Sequence, residues 1–280
     1  MLRHLLVLFS LFLVSCENTD VLMMTDAATD AATAITLTDE DVKKLARHAA
    51  QATDGVHQVA PAGNPYDTRL RRLAARYSER DGYTFNFKVY LTRDVNAFAM
   101  ADGTIRVFSG LMDIMTDQEL LFVVGHEMGH VVKNHSRKKV VMAYATSAVK
   151  KGLAAQENEV GQIARSIVGD LAEQLTNAQF SQHEERQADQ YGAALLQAGG
   201  HDISPAISAL EKLADLAKRH TFLSSHPDPA ARALRLAEVG VDEDEDRKSL
   251  TESFFEYGQR LILGLLDLIR SVVAWIISWL

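Results

Sequence analysis

The sequence predicts an α+β, mostly helical domain with a small β-sheet beside one buried helix that carries two histidines. Apolar residues recur at helical spacing in most segments of the 280-residue chain. Alternation of apolar and polar residues is concentrated between Phe85 and Leu111, where Asp102-Gly103 is a hairpin turn signal. The chain is long enough to form one large domain or two small ones, with an ample core.

The first 15 residues have the character of an export signal. Residues 5–14 are a nearly unbroken apolar run, too short for a typical transmembrane helix. Leu13-Val14-Ser15-Cys16 resembles a bacterial lipobox, which implies cleavage before Cys16 and lipid attachment there. A plain export signal or a short membrane anchor is the alternative. We expect a lipid-anchored protein on the periplasmic face of the cell envelope, and Glu17 after the cysteine favours the outer membrane.

The next segments lead into the folded domain, predicted over residues 39–240. Residues 16–38 are rich in Thr, Ala and Asp and are predicted to be a flexible tether, because they offer little apolar surface for burial. A helix starts near Thr38, and a second, basic amphipathic helix is predicted over 66–80. Asp81-Gly82 is a turn signal before a strand that begins near Phe85.

The central helix is predicted to begin at Thr116. Thr116 and Glu119 have the spacing of a capping box. The apolar run from Leu120 to Val132 indicates a largely buried helix. His126 and His130 lie four residues apart on it, so their Cβ atoms are about 5–6 Å apart on one face. Such a pair can bind one metal ion.

The chemistry of these side chains favours zinc. Neutral imidazole is a good zinc ligand, and Glu127 can take a proton from a water molecule that the metal activates. A buried helix with two hydrogen-bonded histidines is the alternative. Because Cys16 is the single cysteine, a further ligand must be His, Glu or Asp. The motif predicts one Zn²⁺ per chain with a third ligand from another segment.

A downstream helix supplies the candidate third ligand. Small and apolar residues define its inward face: Ala188, Gly192, Leu195 and Leu196. Glu185 and Asp189 fall on the same face. Two buried carboxylates one turn apart need a neutralising partner, which favours Glu185 as a zinc ligand. Asp189 is predicted to accept the free N–H of a ligating histidine. Salt bridges to Arg186 or Arg232 are the alternative.

A rigid turn around His226 is a second candidate feature of the site. Pro227 and Pro229 flank Asp228 directly after this histidine, and Arg232 follows in a predicted helix. His226 can stabilise an oxyanion or occupy the open metal position in a closed form. A surface or capping role is the alternative. Arg232 is a candidate partner of Asp189.

Together these motifs resemble the gluzincin family of the CAAX prenyl protease, the HtpX membrane protease, the mitochondrial Oma-type protease and BepA-like proteins. The resemblance rests on His126-Glu-Met-Gly-His130, on Glu185 to Asp189 and on Asn96 to Ala99, and it covers about residues 60–237. It implies a zincin-like metallopeptidase domain and a protein or peptide substrate. It also implies His126, His130 and Glu185 as zinc ligands and Glu127 as the base. The strand at Ala97 to Ala99 either binds extended peptide or belongs to an ordinary core hairpin.

The remaining segments leave several alternatives open. Residues 143–176 are predicted to be helical, as a lid, a groove wall or a dimer surface. Residues 241–253 are an acidic linker, and residues 254–280 an amphipathic hydrophobic helix for a membrane surface or a partner. Packing of that helix on the protein's own core is the alternative. The repeats of BepA-like proteins and internal transmembrane helices are not predicted.

The net charge and the expected envelope location limit the classes of function that are possible. The net charge of −8 and the lack of a basic stripe argue against a nucleic-acid partner. We expect a zinc endopeptidase that hydrolyses misfolded or misassembled envelope proteins. The alternatives are an envelope chaperone or assembly factor with a largely closed zinc site, and a hydrolase of non-peptide amides.

Overall fold

The computed structural model describes residues 37–143, 179–216 and 222–239, together with Asp26. Its helices are α1 (Asp39–Val56), α2 (Pro65–Ala74), α3 (Ser109–Ile114), α4 (Asp117–Val132), α5 (Gln182–Ala198), α6 (Ser204–Asp215), α7 (Phe222–Ser225) and α8 (Pro229–Val239). Its strands are β1 (Glu79–Arg80), β2 (Tyr83–Thr84), β3 (Asn86–Tyr90), β4 (Ala97–Ala99) and β5 (Thr104–Phe108). Residues 135–143 are also helical. The predicted α+β, mostly helical fold is confirmed.

Several predicted features lie outside the described residues. They are the signal peptide with Cys16, nearly all of the tether, the segment after residue 143 up to 176, the acidic linker and the C-terminal helix. Among the helices that the structure does describe, none is long and apolar enough to cross a membrane.

The central helix α4 forms as predicted. The Thr116 hydroxyl accepts from the backbone N–H of Glu119, and the Glu119 carboxylate accepts from the N–H of Thr116 at 2.7 Å. This capping box satisfies two N–H groups that the first turn would otherwise leave unpaired. Every residue from Glu119 to Val131 is buried. The helix is therefore the centre of the core, and side chains from all of its faces meet other elements.

Helix α5 packs along α4 at close range. A Cβ on Gly125 would lie 2.9 Å from the Cα of Gly192, and one on Gly129 would lie 3.0 Å from the Cα of Ala188. Real side chains almost never come this close, so the glycines permit the two backbones to approach each other. This approach sets the position of the acidic residues of α5 relative to the histidines of α4.

The main sheet has three strands in the order β3-β5-β4. Strand β5 is parallel to β3 and antiparallel to β4, with Val107 opposite both Val89 and Ala97. The predicted β4–β5 hairpin is confirmed, but its loop has four residues (100–103) instead of two. The Asp102 carboxylate accepts from the N–H and the hydroxyl of Thr104, and this local turn extends the loop.

The predicted helix over 66–80 ends early. Helix α2 stops at Ala74 and a 3₁₀ turn follows over Ala75–Tyr77. Residues 79–80 then pair with residues 83–84 as strands β1 and β2. The cause is the turn that joins them, because Asp81 and Gly82 both have positive φ, 50° and 80°. Two such residues form a tight hairpin turn, which aligns the flanking residues as strands.

Helix α1 is attached to the sheet by a buried ionic network. Asp54 accepts from Arg106 Nε at 2.7 Å, from Lys88 Nζ at 2.7 Å and from Tyr90 Oη at 2.7 Å. Arg106 is 2% exposed. A buried guanidinium without a carboxylate would be costly, so the network holds α1 across the sheet.

Candidate metal centre

Four buried side chains from three parts of the chain converge beside α4. His126 and His130 project from α4, Glu185 from the first turns of α5, and His226 from the turn after α7. None of the four is more than 1% exposed. One nitrogen or oxygen atom from each lies within 4.8 Å of the corresponding atoms of the others. The three predicted ligands and the predicted loop histidine therefore meet at one point.

The spacing of these atoms suits a bound metal ion. The two Nε2 atoms of His126 and His130 are 3.0 Å apart, and His130 Nε2 is 3.3 Å from Glu185 Oε1. His226 Nδ1 lies 3.2 Å from His126 Nε2 and 3.0 Å from Glu185 Oε1. Four ligands about 2.0–2.1 Å from a zinc ion are separated from one another by about 3.3 Å. The donor set therefore fits such an ion.

Asp189 and Arg232 form a buried pair behind the first histidine. His126 Nδ1 donates to Asp189 Oδ1 at 3.0 Å, which leaves Nε2 of the neutral ring with a free lone pair. Arg232 donates to both oxygens of Asp189, at 2.6 and 2.8 Å, and it also contacts Glu185 Oε2. The histidine contact and the arginine contact, which were alternatives from the sequence, exist together.

The electrostatics of the site keep the Glu185 and Asp189 carboxylates ionised. Burial by itself would raise the pKa of Glu185 and of Asp189, but the Arg232 guanidinium and the neighbouring histidines together outweigh burial. The pKa of Glu185 is therefore held well below its usual range, and that of Asp189 is lowered too. Burial lowers the pKa values of His130 and His226. Anionic carboxylates and neutral imidazoles are the protonation states that metal ligation needs.

Glu127 is buried next to the candidate ligand atoms. It is 0% exposed, and neither carboxylate oxygen accepts a hydrogen bond from any residue that the structure describes. His226 Nε2 lies 3.5 Å from Glu127 Oε1. An unpaired buried acceptor is costly, so these oxygens need a donor such as a water molecule.

His226 is part of the core of the site. It is 1% exposed, and its ring stacks on that of Phe222 with the centroids 4.4 Å apart. Its backbone N–H donates to the Phe222 carbonyl oxygen at 2.9 Å. The alternative of a surface residue is therefore wrong. Helix α7 and the proline-bounded turn hold the ring against the ligand atoms of α4 and α5.

Two contacts of His130 were not anticipated from the sequence. Its ring stacks on Phe180, with the centroids 3.6 Å apart, and its Nδ1 lies 3.0 Å from Nδ1 of His135. His135 is 0% exposed, burial lowers its pKa to about 4, and its Nε2 lies 2.9 Å from Gln187 Oε1. The only available signal was a histidine five residues beyond the motif, past the turn at Asn134, which has a φ of 60°.

An open pocket of about 620 Å³ leads to this centre. Glu127 and His226 form part of its wall, with small residues of α1 and β4 and the side chain of Lys139. Lys139 Nζ lies 3.4 Å from the ring centroid of Phe180, and burial lowers its pKa to about 8. The buried Glu127 carboxylate therefore lies at the wall of this pocket.

Comparisons with known proteins agree with this geometry. Residues 66–239 match the model of peptidase family M48. The chain is 42% identical over 239 residues to metalloprotease LoiP of Escherichia coli, an alignment that covers 83% of this chain and 94% of LoiP. It is 37% identical over 227 residues to metalloprotease YcaL of the same organism, covering 79% and 89%.

A third relative is more distant. The putative beta-barrel assembly-enhancing protease of Vibrio cholerae is 29% identical over 188 residues, which cover 61% of this chain and 38% of that protein. The family match spans most of the described residues and includes all four converging side chains. Membership in the family implies a metal cofactor and a protein or peptide substrate. The chain therefore belongs to peptidase family M48 and is a metalloendopeptidase.

Proposed function

We propose that this chain is a zinc endopeptidase of the bacterial cell envelope that cleaves misfolded or misassembled envelope proteins. One observation carries the catalytic part of the proposal. Three nitrogen or oxygen donors from α4 and α5 meet beside a buried carboxylate, Glu127, that has no hydrogen-bonding partner among the described residues. That is the arrangement needed to hold a metal ion and to accept a proton next to it.

The metal ligands are His126, His130 and Glu185. Two imidazoles and one carboxylate, all buried and about 3 Å apart, are a ligand set that zinc prefers. When bound, the ion acts as a Lewis acid that lowers the pKa of water and polarises a carbonyl group. Asp189 fixes the tautomer of His126, and Arg232 keeps both Asp189 and Glu185 anionic.

Glu127 is the general base and then the general acid. Its oxygens lie in the pocket wall and are not engaged by described residues, so they are available to a water molecule next to the ligand cluster. Glu127 takes the proton of the attacking water and delivers it to the leaving amine. Burial removes competing solvent and strengthens this proton transfer.

The substrate peptide binds along strand β4. Phe98 of β4 pairs with Arg106 of β5. Asn96 and Met100, two residues away on either side, also form backbone hydrogen bonds to β5. Because backbone groups alternate in an antiparallel pair, the N–H and C=O of Ala99 point away from β5. Ala99 also lines the pocket that contains Glu127. An extended peptide that pairs with Ala99 would lie across the site.

His226 closes the site in the conformation seen here. Its Nδ1 lies among the donor atoms, at the position that an open zinc site keeps for water or substrate. Substrate therefore requires the turn around His226 to move. Once displaced from the ligand cluster, the imidazole can stabilise the oxyanion of the tetrahedral intermediate.

The envelope location rests on sequence features and on a relative. The lipobox ending at Cys16 provides a lipid anchor, and the amphipathic helix predicted from the sequence of residues 254–280 provides a second membrane contact. One relative is named for enhancing β-barrel assembly, and β-barrels span bacterial outer membranes. A Cys16→Ser variant should be released from membranes more readily than the wild type, because only the C-terminal contact would remain. Unchanged membrane association would overturn anchoring through Cys16.

A second candidate function is that of a chaperone or assembly factor. The observation in its favour is the closed site, because His226 is buried within the ligand cluster. A protein that binds clients without cutting them needs no free metal position. The two functions differ in their need for Glu127.

Glu127→Gln tests the proposal directly. The amide keeps the shape of the side chain but cannot accept the proton, so zinc content should be unchanged while casein cleavage falls by at least about 100-fold. Zinc is measured by elemental analysis of the purified protein, with a chelator-treated sample as the control. Cleavage that persists in the variant would show that Glu127 is not the general base. Full biological complementation by an inactive variant would favour the chaperone function.

A further inference from the structure

We propose that His135 is a positioning residue that fixes the tautomer of His130, with Gln187 setting the direction of the hydrogen bonds. The inference rests on the proposed role of His130 as a metal ligand. Its consequence is that residues beyond the ligands determine how tightly the metal is held.

The three side chains form a continuous chain of contacts. His130 Nδ1 lies 3.0 Å from His135 Nδ1, and His135 Nε2 lies 2.9 Å from Gln187 Oε1. Both histidines are 0% exposed, so solvent does not compete for these nitrogen atoms. These contacts link α4, the 135–143 helical segment and α5, which also carries Glu185.

Only one order of donors and acceptors along this chain is compatible with metal binding. A ligating His130 needs a lone pair on Nε2, so its proton must be on Nδ1. That proton can be donated only if His135 Nδ1 is an acceptor. His135 must then carry its own proton on Nε2 and needs an acceptor there. The carbonyl oxygen of Gln187 is that acceptor.

The opposite order would prevent ligation. If the Gln187 amide presented its NH₂ group, His135 Nε2 would become the acceptor and its Nδ1 the donor. His130 Nδ1 would then accept, and its proton would move to Nε2, where the metal binds. The orientation of one amide therefore selects the tautomers of two histidines.

The two metal-binding histidines are thus supported in different ways. His126 donates to the ionised Asp189, whereas His130 donates to a neutral imidazole. Loss of such an orienting partner typically lowers metal affinity about 10–100-fold. We place His135 toward the lower end of this range, because an uncharged acceptor raises the basicity of the ligand less than a carboxylate does.

Zinc affinity of the full-length chain tests the inference, measured by competition with a chromophoric chelator. His135→Phe should lower the affinity about 10-fold, and Gln187→Met should lower it severalfold. Gln187→Glu is the matched control, because a carboxylate accepts a hydrogen bond in every rotamer, and it should keep the wild-type affinity. Thermal melts at saturating zinc identify variants that fail to fold.

The tautomers themselves are a second readout that packing alone would not change. Long-range ¹H–¹⁵N spectra of zinc-loaded, histidine-labelled protein should show His130 protonated on Nδ1 and His135 on Nε2. Wild-type affinity in His135→Phe, equal losses in Gln187→Met and Gln187→Glu, or the opposite tautomers would each overturn the inference. Failure of the proposed function is distinguishable, since wild-type protein would then bind no zinc or Glu127→Gln would still cleave.

Discussion

Gly125 of α4 and Gly192 of α5 face each other where the two helices that carry the candidate metal ligands pack together. A Cβ on Gly125 would lie 2.9 Å from the Cα of Gly192, and one on Gly192 would lie 2.9 Å from Phe122 O and 3.0 Å from the His126 backbone N. These are backbone atoms, which cannot turn aside as a flexible side chain can. The distance from Glu185 to the two histidines therefore depends on the lack of side chains here.

Gly192→Ala is expected to push α5 away from α4. Overpacking of this kind costs about 1–3 kcal/mol of unfolding free energy, and zinc affinity should fall as Glu185 is displaced. Urea denaturation and chelator competition measure the two effects. Gly55→Ala is the control, because a Cβ on Gly55 would meet nothing within 4 Å. Equal stability of the two variants would contradict the role of this contact.

His226→Ala should keep bound zinc and raise basal peptide cleavage. The three proposed ligands remain, but the His226 imidazole no longer blocks the position that substrate needs. A larger fraction of the molecules can therefore bind and cleave substrate. We expect an increase of about severalfold in the initial rate of casein digestion, with zinc content checked in the same samples. If cleavage instead falls while zinc is retained, the dominant role of His226 is oxyanion stabilisation.

Asp189→Asn should weaken zinc binding more than His135→Phe does. The amide can no longer act as a charged acceptor for the His126 N–H, and Arg232 loses one of its two buried carboxylates. Loss of such an orienting carboxylate lowers metal affinity about 10–100-fold. Chelator competition checks the value, and Asp113→Asn, at an exposed position, serves as the control. Wild-type zinc affinity in Asp189→Asn would show that Asp189 does not support metal binding.

Asp54→Asn should destabilise the protein in a manner that depends on pH. Burial would raise the pKa of Asp54, but hydrogen bonds from Arg106, Lys88 and Tyr90 lower it from 3.8 to about 2. A carboxyl whose pKa is lower in the folded state contributes stability above its ordinary pKa. Here that contribution is about 2 kcal/mol, and it is lost as the pH falls from about 4 to about 2.

Urea denaturation of Asp54→Asn and of the wild type at pH 7 and pH 3 measures this difference. The stability gap should be largest at pH 7 and should narrow at pH 3. Asp113→Asn again serves as the exposed control. A gap that does not change with pH would mean that packing, and not ionisation, determines the contribution of Asp54.

Several elements were predictable from the sequence because their signals are local. The capping box at Thr116 and Glu119 starts α4 where expected, and the Asp102-Gly103 signal correctly predicts a hairpin. A period of 3.6 residues placed Glu185 and Asp189 on the buried face of α5. Such arguments need only spacing along one helix, so they indicated which acidic residues lie on the inward face of α5.

Other features depend on interactions between distant residues. The end of α2 at Ala74 follows from strand pairing across Asp81-Gly82, which competes with the helical pattern. The parallel pairing of β3 with β5 has no local signal. The contact between His135 and Gln187 joins residues 52 positions apart. Periodicity specifies the face on which a side chain lies, but not which residue of another element it meets.

The sequence by itself therefore determined the chemistry of this protein: a buried helix with two histidines and a glutamate, and a second helix with two inward carboxylates. Tertiary structure alone decided that His226 lies among the candidate ligand atoms, that Arg232 contacts both carboxylates and that His135 contacts His130. The physical reason is that these contacts depend on how α4, α5 and the segment from α7 to α8 pack together, which local spacing does not encode.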